Sequence, residues 1–237
     1  MKLLDLPDEA VQGRLLFGFW DDLEEFVTGD RFTSLAADAG ATVVAQDLAN
    51  GEVHLATGAV DNNEAALQTT KKVFKFAEDK PHVFEVWHQY TEANVDDTNV
   101  FDGFISAAAA DTMVDNGAGP AANFDGAGFF KVDGGTNWNI IVSNAATQTK
   151  VELTAVNSLT KTAQVAGGSG QQKLRVEVMP YSSTKAEVRF FIDDELVYKV
   201  IEWAFPTGVM FGRVYVKAGG ANSEVLKADV FSAYKKR

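Results

Sequence analysis

Residues 185–203 read KAEVRFFIDDELVYKVIEW, and the pattern of this stretch decides the fold. In its first half apolar and polar side chains alternate. Because successive residues of a strand point to opposite faces, one face is apolar and the other largely polar. Residues 193–195 are a turn signal, and a second apolar run follows them. The stretch predicts a β-hairpin with one face in a core, and other strands must cover that face because a lone hairpin is only marginally stable.

Runs of the same kind recur along the chain, separated by Gly, Asn, Asp and Pro signals. Besides the hairpin, strands are predicted at 41–45, 52–57, 65–69, 83–90, 100–105, 128–132, 137–143, 148–155, 172–179, 208–216 and 225–234. Residues 19–26 are predicted to form an edge segment that pairs with the last strand. Only 107–113, which is rich in alanine, is predicted to be helical. This succession indicates an all-β, antiparallel sandwich or barrel.

The length of 237 residues and the hydrophobic content of 46% allow one sizeable core. We expect a single sandwich domain at 19–237, preceded by an N-terminal arm at 1–18. The arm either docks on a neighbouring protein or folds back on its own domain. Its apolar residues are separated by charges and a proline, and they are Leu3, Leu4, Leu6 and Val11.

Charge and cysteine content exclude several functional classes. The net charge is −12, so the surface repels phosphate backbones, and no nucleic-acid partner is expected. No apolar run approaches the length of a membrane span, and the N-terminus lacks the apolar core of a signal peptide, so no membrane association is expected. The absence of cysteine excludes disulfides, thiolate metal sites and a cysteine nucleophile.

Glycoside hydrolysis needs carboxylates on either side of the scissile bond, and the Glu-x-Asp-x-Glu or Glu-x-Asp-x-x-Glu strand that usually carries them is not found in the sequence. Glu85 and Glu177 each lack a second acid two residues away, and the acids of 193–195 lie at a turn tip. We therefore expect no enzymatic activity, and we predict no catalytic and no cofactor-binding residues.

Metal-ligand spacing is also missing among the three histidines, which are expected to be packed or surface residues: His54, His82 and His88. Calcium is the least implausible ion, because one acidic segment offers hard oxygen donors at Asp96, Asp97, Asn99 and Asp102. An exposed acidic loop without metal is the simpler interpretation, so no metal site is predicted.

Aromatic residues allow two interpretations. Trp87, Trp138 and Trp203 could stack on sugars, although most aromatic rings in such a chain must form the core. Where two phenylalanines are adjacent, one ring must point to the second face of the sheet. If that face is not covered internally, Phe130 and Phe191 mark an interface with a partner. With the four apolar residues of the arm, they are the candidate interface residues.

The order of these pieces resembles concanavalin A-like, laminin-G-like jelly-roll domains. More narrowly, the chain from about Trp20 onward resembles a group of structural proteins of tailed bacteriophages. The similar runs are 61–65 (DNNEA) with 69–77, 80–85 with 91–94 (TEAN), and 129–135 (FFKVDGG). These are scaffold motifs with no catalytic signature, and the arm has no match.

The resemblance implies a virion protein, made in the host cytoplasm and located on the capsid surface. Such a protein would be a head decoration (cement) protein that binds the major capsid protein and stabilises the assembled phage head. Self-association, as a trimer for example, would multiply weak contacts. The alternative is a glycan- or receptor-binding module of a phage fibre or spike. The residues alone hardly separate these two functions.

Overall fold

The computed structural model describes residues 16–23, 26–36, 38–46, 51–92, 97–107, 110–114, 117–122, 124–167 and 170–236. In these ranges the chain forms strands joined by turns and loops, which confirms the predicted all-β class. The strands are β1 (Leu16–Asp21), β2 (Phe32–Leu35), β3 (Thr42–Gln46), β4 (Glu52–Ala56), β5 (Glu64–Thr69), β6 (His82–Thr91), β7 (Thr98–Ile105), β8 (Met113–Val114), β9 (Gly119–Pro120), β10 (Gly126–Lys131), β11 (Asn139–Asn144), β12 (Thr147–Glu152), β13 (Gln172–Pro180), β14 (Lys185–Ile192), β15 (Glu195–Ala204), β16 (Phe211–Ala218) and β17 (Val225–Lys236). Within the same ranges, no helix has the length and hydrophobicity needed to cross a bilayer.

Two antiparallel sheets pack face to face. The eight-stranded sheet has the order β15-β14-β13-β6-β17-β4-β3, with β1 beside β17, and the seven-stranded sheet has the order β12-β11-β10-β7-β16-β5-β2. Strands β8 and β9 form a small separate pair. Inward side chains of both sheets, among them Phe84, Phe104, Phe129 and Phe190, are fully buried in one shared core. The predicted jelly-roll sandwich is confirmed.

The predicted hairpin is formed by β14 and β15. Ala186, Val188 and Phe190 point inward and are fully buried, as their alternation indicates. The turn consists of Asp193 and Asp194, with φ angles of 50° and 68°. Positive φ at both positions is the type I′ geometry, whose twist matches that of the flanking strands. Glu195, which was predicted to lie in the turn, is already the first residue of β15.

The two ends of the sandwich meet, because β1 pairs with β17 and places Trp20 opposite Ser232. The segment predicted to pair with the last strand, 19–26, overlaps β1 only at 19–21. Strand β1 begins at Leu16, so the last three residues of the predicted arm belong to the sheet. The arm residues Leu3, Leu4, Leu6 and Val11 lie outside the described residues.

The predicted helix at 107–113 is not formed by the described residues of that segment. Asp111 has a φ of 58°, which is incompatible with a right-handed helix, and Met113 begins β8 by pairing with Pro120. Met113 is completely buried. The preference of alanine for helices is a fraction of a kcal/mol per residue, so tertiary contacts outweigh it.

Candidate functional site

The outer face of the seven-stranded sheet is covered by the chain's own segment between β7 and β10. Outward residues of the sheet and two residues of the covering segment form a second buried cluster on this face. The sheet residues are Ala66, Phe101, Ile105, Phe130, Ile141, Phe211 and Tyr215, and the covering segment contributes Met113 and Phe124. A Cβ atom added to Gly119 of β9 would lie 3.4 Å from the ring of Phe130, so β9 packs over that ring. The described part of this face is therefore closed to a large ligand.

A row of polar side chains on β16 fastens the covering segment. Arg213 Nη1 donates to the carbonyl oxygen of Ala107 at 3.3 Å, and Lys217 Nζ contacts Asp111 Oδ1 at 3.0 Å and the Met113 carbonyl at 3.2 Å. Between them, the Tyr215 hydroxyl donates to Glu64. We call Arg213, Tyr215 and Lys217 the latch. All three side chains are almost completely buried.

The latch residues hold the covering segment through hydrogen bonds and an ion pair. Burial, followed by the nearby Glu64 carboxylate, raises the pKa of Tyr215 well above its usual value, so the phenol stays protonated and donates. Glu64 also accepts from the backbone N–H of Asp111 at 2.9 Å. Our sequence reasoning missed the latch, although the Arg-x-Tyr-x-Lys alternation in 213–217 was a usable signal.

The described oxygen donors considered for calcium have different surroundings, and Asp97 Oδ2 accepts from Asn222 Nδ2 at 3.5 Å. Asp102 is fully buried between the sheets, where its Oδ2 lies 3.1 Å from His88 Nδ1. Asn99 is also buried, and its Oδ1 accepts from the backbone N–H of Asp133. Asp96 lies outside the described residues. Among the residues that are described, no group of three or more His, Asp or Glu side chains could hold a metal ion.

The histidines of β6 are packed in the core. His88 stacks on Trp138, with ring centroids 5.4 Å apart. His82 has no exposed surface, and its Nδ1 lies 2.7 Å from the carbonyl oxygen of Lys80. Burial is the main cause that lowers the pKa of His82 to about 4. Neither ring is available to a ligand.

The two phenylalanines proposed as interface residues have different surroundings. Phe130 is only 3% exposed and belongs to the second buried cluster, so its face of the sheet is covered internally. Phe191 is half-buried on the outer face of the eight-stranded sheet, and the Arg175 guanidinium lies 4.2 Å from its ring centroid. An interface role requires a face that is not covered internally, so Phe130 does not meet this requirement.

A polar pocket with one aromatic wall lies on the outer face of the eight-stranded sheet. We call it the Trp87 pocket; its volume is about 250 Å³, and it is lined by Trp87, Gln171, Lys173, Asp193 and Asp194. Trp87 lies opposite Lys173 across the β6–β13 pair. A second cavity, of about 300 Å³, lies between the edge strands β12 and β15, where Ile201 is 64% exposed.

Comparison with family models and with curated proteins gives no match. Among solved structures, the carbohydrate recognition domain of Emp47p has a TM-score of 0.60 at 13% identity, over 90% of this chain and 92% of that one. An endo-1,3-beta-glucanase from Streptomyces sioyaensis has a TM-score of 0.58 at 13% identity, over 93% and 96%. A legume lectin-like domain from Entamoeba histolytica has a TM-score of 0.54 at 6% identity, over 86% and 89%. These likenesses concern the fold alone and give no support to a virion location. The chain has the concanavalin A- and legume-lectin-like jelly-roll fold.

Proposed function

We propose that this protein is a non-enzymatic virion protein that decorates a phage head by binding the major capsid protein. The resemblance of three sequence runs to structural proteins of tailed phages supports the virion assignment. In the structure these runs lie largely in and beside strands β5, β6 and β10, so the resemblance concerns the scaffold.

The observation that carries a non-enzymatic role is the closed outer face of the seven-stranded sheet. Met113 and Phe124 of the covering segment fill this face, and the latch holds the segment down. Glu64, an acid beside the latch, is engaged by the Tyr215 hydroxyl and the Asp111 N–H. This face has no cleft over the covered central strands, which is why we place the function in attachment and not in catalysis.

Decoration would stabilise a capsid by linkage. A protein that binds the assembled shell but not its free subunits shifts the equilibrium toward the shell. We propose that residues 1–15, the part of the arm that precedes β1, contact the capsid protein. This part contains apolar leucines, and β1 starts directly after it at Leu16. Several arms in an oligomer would act together through avidity.

The test is to add purified protein to phage particles that lack it and to count copies per coat subunit. Full-length protein is expected to bind intact heads and to raise their disruption temperature. A variant lacking residues 1–15 keeps β1 and is expected to lose most of its occupancy. Equal occupancy by the truncated variant would refute the role of the arm, and absence of the full-length protein from heads would refute decoration.

The second candidate function is glycan or receptor recognition on a fibre or spike. It is favoured by the Trp87 pocket, together with a fold shared with carbohydrate recognition domains. Fractionation of particles into heads and tails separates the two candidates, because a fibre or spike module is expected only in the tail fraction.

A further inference from the structure

We infer that the Trp87 pocket binds one neutral sugar ring of a surface glycan. This inference rests on the second candidate function and names its site and ligand class. At about 250 Å³ the pocket lies below the ~300–1,000 Å³ of pockets that take drug-sized ligands. Its size thus suits a single small ring and excludes a long buried oligosaccharide.

Neighbouring strands and the hairpin turn hold the pocket residues in place. The Trp87 indole N–H donates to Glu85 Oε1 at 3.3 Å, which orients the ring. The backbone N–H of Lys173 donates to Asp193 Oδ1 at 2.9 Å, and the Asp193 N–H donates back to the Lys173 carbonyl at 2.9 Å. These bonds tie the type I′ turn to β13, so little ordering is needed when a ligand binds.

The lining groups match the surface of a sugar. The half-buried indole of Trp87 offers an apolar wall for the C–H face of a pyranose ring. Exposed carboxylates of Asp193 and Asp194 can accept hydrogen bonds from hydroxyl groups. Gln171 Nε2 donates to Asp229 Oδ2 at 2.6 Å, and the amide of Gln171 keeps its carbonyl oxygen and a second N–H for a ligand. An apolar wall with a few polar groups at its rim is the usual composition of a small-ligand site.

Charges around the pocket favour a neutral ligand. Lys173 Nζ contacts Asp194 Oδ2 at 2.5 Å, and Arg175 Nη1 contacts Asp194 Oδ1 at 3.0 Å, so both cations already face a carboxylate. Asp193 adds a further negative charge, which disfavours acidic sugars. The Lys173 ammonium lies over the Trp87 ring, 5.3 Å from its centroid, so any ligand that stacks on that face has to move it aside. A neutral ring can do so while Lys173 keeps its contact with Asp194, whereas a cationic ligand would compete with Lys173 for that carboxylate.

The experiment compares the wild-type protein with Trp87→Ala on an array of neutral, acidic and amino-sugar glycans. The matched control is Tyr181→Ala, which removes a 51% exposed aromatic side chain outside the pocket. Wild type and control are expected to bind neutral glycans, and Trp87→Ala at least about tenfold more weakly. Circular dichroism checks folding, and Gln171→Ala, at an exposed position, provides a second pocket variant.

The possible results distinguish an error in the assigned site, the Trp87 pocket, from an error in the assigned function, glycan recognition. If Trp87→Ala and Gln171→Ala bind neutral glycans as strongly as the wild type, glycan recognition stands but this pocket is not its site. If the wild type binds only acidic or amino sugars, the inferred ligand class is wrong. If it binds no glycan on the array, the inference and the glycan-binding form of the second candidate function both fail, whereas receptor recognition and head decoration are unaffected.

Discussion

At the scale of single residues, the most consequential side chains are polar groups buried between the sheets. His82, His88 and Asp102 all have essentially no exposed surface. A buried charge costs several kcal/mol unless it is paired, and otherwise the group becomes neutral. Burial keeps His82 neutral in the folded protein, whereas His88 and Asp102 have each other as polar neighbours, so the two histidines should affect stability differently.

Stability should fall on acidification because of His82. The pKa of this residue is about 4 in the folded protein, against 6.5 for an ordinary histidine, so the unfolded chain binds the proton more readily. The stabilisation that results from neutral, buried His82 is fully present above pH 6.5. As the pH falls from 6.5 toward 4, the free energy of unfolding should decrease by about 3 kcal/mol. His82→Asn, which can retain a donor toward the Lys80 carbonyl, should flatten this pH dependence in urea unfolding. His54→Asn is the control, and an unchanged slope in His82→Asn would contradict the argument.

Removal of one member of the His88–Asp102 pair should be costly. Nδ1 and Oδ2 lie 3.1 Å apart, and both side chains have essentially no exposed surface, so each group is the polar neighbour of the other. Burial raises the pKa of Asp102, and His88 opposes that shift. Asp102→Ala should reduce the free energy of unfolding by about 1–3 kcal/mol, because the buried ring of His88 loses its polar neighbour. The double variant His88→Phe with Asp102→Leu leaves no buried charge, and urea titrations should find it more stable than Asp102→Ala.

At the scale of elements, β15 and β16 are protected in different ways. The edge of β15 is irregular, and the outer face of β16 is covered by another segment of the chain. Strand β15 is an edge strand with register shifts between Ala186 and Val188 and between Phe190 and Phe191 of its partner. Glu202 in this strand has a φ of 56°. Such irregularities twist an edge and hinder pairing with another sheet. Strand β16, by contrast, is central and is covered on its outer face through the latch.

Lys217→Met should loosen the covering segment while leaving the sandwich intact. Methionine keeps much of the buried volume but loses the contacts with Asp111 and the Met113 carbonyl. Hydrogen–deuterium exchange should therefore become faster at 110–122 and stay unchanged in the core strands. Lys199→Met, at an exposed position of β15, is the control. Equal exchange at 110–122 in both variants would show that the latch does not hold the segment.

At the scale of the whole molecule, the pairing of β1 with β17 fixes where the arm leaves the sandwich. Leu16 lies opposite Lys236, so the arm departs beside the C-terminal end of β17. A stretch of 15 extended residues can span up to ~50 Å, which is enough to reach a neighbouring molecule. The arm can thus serve both proposed contacts, one with the capsid protein and one with another copy of this chain.

We predict that the protein self-associates through its arm. Light scattering should give a multiple of the 25.6 kDa chain mass, with a trimer as the stoichiometry proposed from the sequence. Deletion of residues 1–15 should shift the protein toward monomer and leave its circular dichroism unchanged. A full-length protein that is monomeric at all concentrations would contradict the prediction.

Sequence reasoning succeeded where local alternation is strong. The hairpin of β14 and β15 and strand β13 were predicted, because each has a clear apolar face or a turn signal. The predicted partner of the last strand, 19–26, overlaps β1 only at 19–21. Sequence reasoning failed at 107–113, where alanine content suggested a helix, and it left the environment of Phe130 undecided. Both depend on contacts between β16 and the covering segment, which are distant in sequence. Asp102 lies within the predicted strand 100–105, but the local pattern could not show that its side chain is buried beside His88 of β6.

The sequence by itself determined the all-β class, the strand alternation and the main turns, since these follow from periodicity and from the φ preferences of a few residues. Only the tertiary structure decided which face of each sheet is closed. It also decided which acids meet cations and which side chains line the Trp87 pocket. Closure depends on Lys217 meeting Asp111, 106 residues away, and local pattern carries no information on such an encounter.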